Sequence, residues 1–106
     1  MPFTMVVTRD VEDRYRGFLG SIMLELAPGV YAQARLSAGV RGRILAVLAD
    51  WHAQLRQGSI VVCWAEPSGH GGLGLRTFGQ PPKVIVTHDA MLLVKRPLAG
   101  SDKVVR

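Results

Sequence analysis

Two apolar stripes at helical spacing interrupt a chain otherwise written in short β-branched runs. Tyr15, Phe18, Leu19, Ile22, Met23 and Leu26 form the first, and Val40, Ile44, Val47, Leu48, Trp51 and Leu55 the second. Each predicts a helix that buries one face. "FTMVVT" (3–8) precedes the first stripe, "VYAQARL" (30–36) separates the two, and "SIVVCWA" (59–65) follows the second. One-faced helices and β-branched strands need each other as cover, which predicts α+β layering. Ala27-Pro28-Gly29 stops the first helix; Ser37 caps the second and Gln57-Gly58 ends it.

After Ser59 the 59–65 run has no polar alternation, so it predicts a central strand covered on both faces. "EPSGHGG" (66–72) reads as a turn and "LGLRTFG" (73–79) as its hairpin mate. "QPPK" (80–83) breaks the sheet, two extended pieces follow, and residues 97–106 read as a basic tail. The economical packing is two helices on one face of a four-stranded antiparallel sheet, a ferredoxin-like sandwich, with a C-terminal extended segment. Residues 1–96 form one domain, and the first and third strands lie in its middle.

At 106 residues the chain suits a single domain, small enough that a homodimer is a natural way to bury more surface. The net charge of +5 suits nucleic acid, anionic lipid or an acidic protein partner. Cys63 is the one cysteine, which excludes an internal disulfide and fits a reducing cytoplasm. No apolar run approaches the ~20 residues that span a bilayer, and no secretory signal is visible, so a cytoplasmic protein with no membrane partner is expected.

The first strand runs into "TRDVEDRYRGF" (8–18). Asp10 has two open roles. It is a magnesium ligand completed by a second copy across a twofold axis, or it caps the first helix or pairs with Arg9 or Arg14. Glu12 and Asp13 suit a helix start, whereas Arg14 and Arg16 oppose the dipole there. Arg41 and Arg43 repeat the anomaly in the second helix. A residue kept against a local rule hints at a task, and phosphate binding is the task these four suggest. Side-by-side helices would gather all four guanidiniums on one rim. Arg35 and Arg56 add to the local excess, since residues 35–56 hold four arginines against one Asp. His52, His70 and His88 lack metal-ligand spacing and read as structural.

The stretches "MVVTRDVEDRYRGFL", "LELAPGVYAQARLSAGVR" and "IVVCWAEPSGHGGLGLRTFG" resemble the CRISPR-associated protein 2 family, subtype I-E, over residues 5–96. The R-x-R-G after strand 1, the E-x-x-x-G-V-Y entering strand 2 and the T-F-G closing a hairpin are the most specific parts. The resemblance implies a ferredoxin-like homodimer that sits between dimers of the integrase, the CRISPR-associated protein 1 family. There it holds double-stranded DNA without reading sequence during spacer acquisition. It implies phosphate contacts at Arg14, Arg16 and Arg41, with Arg43 and Lys83 as further basic positions, and integrase docking through Met91, Leu92, Leu93 and Val94. It also implies a Mg²⁺-dependent endonuclease or endoribonuclease built on a strand-1 acid. Relatives of the subtype read Thr-Glu-Asn where this chain has Thr8-Arg9-Asp10, so the acid is shifted one position and Arg9 occupies its place. Whether the chain is an enzyme therefore stays open on sequence, with paired Asp10 residues as the catalytic and metal candidates.

Overall fold

A computed structural model describes residues 2–68, 70–79, 84–88 and 91–95. Lys83 and the 97–106 tail lie outside the described residues. The chain runs β1 (Thr4–Arg9), α1 (Asp13–Ile22), β2 (Leu24–Ala27), β3 (Val30–Gln33), α2 (Ala38–Gln54), β4 (Ser59–Ala65) and β5 (Leu73–Phe78). A short 3₁₀ turn at His70–Gly72 precedes β5, and β6 (Val84–His88) and β7 (Met91–Lys95) follow it. The main sheet is antiparallel in the order β2-β3-β1-β4-β5, and β6 and β7 form a separate hairpin. The first four of those strands, with two helices, give the ferredoxin-like α+β arrangement, and β5 adds a fifth strand at the edge.

The sheet thus has five strands rather than four, because α1 is shorter than its stripe. Tyr15 and Leu19 are buried and Met23 nearly so, but the helix ends at Ile22 and Leu24–Ala27 turns extended to pair with β3. Leu26 is 54% exposed and lies off the stripe. Leu26 has the right spacing from Ile22 and Met23 for a helix. The tight turn through Pro28 and Gly29 returns the chain as a hairpin instead, and the Gly29 carbonyl accepts from the Thr8 amide at 2.7 Å. Elsewhere the expected punctuation holds: the Ser37 hydroxyl accepts from the Val40 amide at 3.2 Å. α2 ends at Gln54, slightly ahead of Gln57-Gly58.

The core lies between the helices and one sheet face. Val6, Ile60, Val62 and Tyr31 meet Tyr15, Leu19, Ile44 and Leu48 there. Cross-strand partners share a face, so Met5, Val7, Val61, Cys63, Leu73 and Leu75 line the opposite one. That face is uncovered in one chain: Val7 and Leu73 are exposed, while Val61 and Cys63 are half-buried. The 59–65 strand is therefore central, as expected, but covered on one face only. Burial pushes the Cys63 thiol up, so it stays protonated. Among the described residues no helix is long and apolar enough to cross a membrane.

At the far rim of the sheet three backbones touch. Gly58 has φ +74, and a Cβ there would overlap the Arg9 and Asp10 carbonyls; Gly79 has φ +85, and a Cβ there would overlap the Gly58 carbonyl. These two glycines fix how the end of β1, the start of β4 and the end of β5 stack. Gly58→Ala combines a left-handed backbone with that overlap and should cost roughly 2 kcal/mol or more. A fall in Tm on the order of 10 °C is the expected result in thermal melting; an unchanged Tm would show that the rim relaxes freely.

Candidate nucleic-acid interface

Arg14 opens α1, where the helix dipole disfavours a cation, and its surroundings explain its presence. The two helices run antiparallel, so the first turn of α1 lies beside the last turn of α2. Arg14 Nη2 donates to Gln54 Oε1 at 3.3 Å, and the guanidinium sits 4.5 Å from the centroid of the Trp51 ring. The negative end of the α2 dipole offsets the repulsion from α1. Arg14 Nε also donates to Glu12 Oε1 at 3.2 Å. Arg16 Nε lies 3.5 Å from Glu25 Oε1, with its side chain 74% exposed. Ion pairs this exposed are worth about 0–1 kcal/mol, so phosphate oxygens can replace either carboxylate at little cost.

Arg41 and Arg43 part company. The Arg41 guanidinium stacks 4.4 Å from the Trp64 ring, toward β4 and β5. Trp64 Nε1 donates to Glu66 Oε1 at 2.9 Å and Ser68 Oγ to Glu66 Oε2 at 3.1 Å. Those hydrogen bonds, the indole's foremost, and the Arg41 charge hold the Glu66 carboxyl below its ordinary range. Arg43 lies about 200° further round the helix. It is exposed, on the same flank as Gln54 and hence as Arg14, roughly 16 Å away along the axis. The four arginines therefore do not share one rim within a chain. Antiparallel helices put their N-termini at opposite ends, and helical phase puts Arg41 and Arg43 on opposite flanks.

Asp10 is exposed, with a left-handed backbone at φ 57, and its carbonyl accepts from Gln57 Nε2 at 3.1 Å. It is not the helix cap: that position is Glu12, whose side chain makes no capping bond. Nor does its carboxylate form an ion pair with Arg9 or Arg14. Asp10 borders two clefts. One, of about 240 Å³, is shared with Glu12, Asp13, Arg16 and Tyr31. The other, of about 970 Å³, is shared with Arg9, His52, Arg56, Ser59 and Arg76. Among the described residues no group of three or more acidic, histidine or cysteine side chains could hold a metal. One chain offers Mg²⁺ a carboxylate set crowded by Arg16, with Glu12 already engaged by Arg14. That set does not fit a hard cation needing several oxygens, and we derive no hydrolytic step from it.

Sequence reasoning noted Arg56 only as part of a charge excess and did not single out Arg76. The strand register reveals Arg76: Val62 pairs with Arg76 and Ile60 with Phe78, which turns both β5 side chains toward the helices. The expected docking stretch forms most of β7, where Leu93 and Val94 are exposed and Leu92 packs on Gly71.

No curated protein matches the chain. Residues 3–93, nearly the whole chain, match the family model described as CRISPR-associated protein (Cas_Cas2CT1978). With a ferredoxin-like sheet, basic helix flanks and that match, the chain belongs to this family of CRISPR-associated proteins.

Proposed function

We propose that the protein is the small, duplex-DNA-binding subunit of a spacer-acquisition complex of subtype I-E. It acts as a homodimer that bridges integrase dimers. The observation that carries this reading is the flank shared by Arg14 and Arg43; Arg16, about 200° round α1 from Arg14, is exposed on the other side of that helix. Guanidiniums spaced by roughly 16 Å suit a rod, where that distance covers about five base pairs, better than they suit a small ligand. Contacts of this kind go to phosphates and carry no sequence information. Arg41 extends the basic surface on the other flank of α2, and Lys83 is a further candidate contact.

The uncovered sheet face supports the homodimer. Two copies packed through Met5, Val7, Val61 and Leu75 would supply the missing cover for β4. The exposed Leu93 and Val94, with Met91 and Leu92 in the same strand, are the candidate integrase contact. Paired Asp10 residues holding Mg²⁺ in an endonuclease remain the second reading, favoured only by the exposure of Asp10 at the end of β1.

Arg14→Ala combined with Arg16→Ala should weaken duplex binding at least tenfold, equally for unrelated sequences. The log–log salt dependence should become shallower by roughly 2. Fluorescence anisotropy across a salt series reads both, and unchanged affinity would remove the assignment. Val7→Asp places a charge in the open face and should convert dimer to monomer in sedimentation analysis; an intact dimer would move the interface elsewhere. Asp10→Asn should leave integration with the cognate integrase intact. Loss of integration from a complex that still assembles would instead favour the nuclease.

A further inference from the structure

The larger cleft beside Asp10 has no part in the duplex-binding reading. It lies on the β5 side of α2, away from Arg14 and Arg43. Its walls come from Arg9 at the end of β1, His52 on α2, Arg56 in the link between α2 and β4, Ser59 at the start of β4, and Arg76 on β5. Three arginines and one acid, Asp10, are among the described residues that line it, with Arg76 turned toward the helices and Arg9 on the other sheet face at the rim. The C-terminal end of α2 contributes about half a negative charge, which does not offset that excess.

Two further observations point to a ligand larger than a bare ion. The cleft, at about 970 Å³, has the size of a small-molecule site. It also carries an aromatic cluster: the Phe78 ring lies 6.3 Å from that of His52, and the Arg76 guanidinium sits 4.9 Å from the Phe78 centroid. His52 Nε2 is buried and has no hydrogen-bond partner among the described residues. The floor is the rim fixed by Gly58 and Gly79, so the cleft is held open by backbone packing.

We infer that this cleft binds a nucleoside monophosphate group, with its phosphate on Arg56 and Arg76 and its base beside Phe78 and His52. Charge selects the monoester. A terminal phosphate carries close to two negative charges, which match the net excess of the cleft, whereas a backbone diester carries one. Bidentate guanidinium contacts suit phosphate oxygens. A concave site admits a terminus or a free nucleotide, and a continuous strand does not need it.

The test uses the isotope-labelled full chain and amide chemical shifts. Deoxyadenosine 5′-monophosphate should shift Gly58, Ser59 and Gly79 saturably, and deoxyadenosine should not. Arg56→Ala with Arg76→Ala should weaken that binding at least tenfold, and because both side chains are exposed the fold should survive. Asp10→Asn, which removes the one opposing charge, should tighten it several-fold, a change that loss of packing would not produce. A single-stranded pentanucleotide with and without a 5′-phosphate identifies the source. Tighter binding of the phosphorylated strand than of the mononucleotide assigns the site to strand ends, and equal binding assigns it to free nucleotides. Equal shifts from nucleotide and nucleoside, or an affinity unmoved in the arginine variants, would overturn the inference.

Discussion

The antiparallel ladder that joins β1 to both β3 and β4 decides where each charged side chain ends up. Because β1 and β3 run in opposite directions, the helices that follow them do too. The start of α1 therefore meets the end of α2, and the arginine that α1 would repel is held by the negative end of its neighbour. The same geometry carries Arg41 to the far end of the molecule. No side-chain substitution could gather the two N-termini on one rim without reversing a strand.

Within that frame the arginines are held loosely. Arg14 and Arg41 stack on tryptophans at 4.5 and 4.4 Å, and Arg76 on a phenylalanine at 4.9 Å. An aromatic face orients a guanidinium while leaving its N–H edge available. Glu12 and Glu25 are exchangeable partners, since exposed pairs contribute little. Such a surface can be ordered before an anion arrives and still release its carboxylates when one does, which lowers the entropy lost on binding.

The features legible in the sequence were those written over neighbouring residues. Both stripes, the Ser37 cap, the central place of residues 59–65 and the R-x-R after β1 all depend on local spacing. What escaped depends on pairing. Leu26 fits the helical stripe of Ile22 and Met23 as well as a strand, and the hairpin with β3 decides between them. Arg43 and Arg41 look equivalent in sequence, yet about 200° of helical phase separates them. The second cleft was least legible, because Arg9, Arg56 and Arg76 lie far apart in the chain and border one cleft only through the stacked rim at Gly58 and Gly79.

Arg9 pairs with Ser59 at the start of β4, directly before Asp10. A cation beside that carboxylate opposes a metal there and favours an anion. The two flanks of α2 then differ in shape as well as in residues. One presents Arg43 on a ridge that the proposed duplex would meet, and the other borders an open cleft lined by Arg56 and Arg76, where the proposed monophosphate would sit.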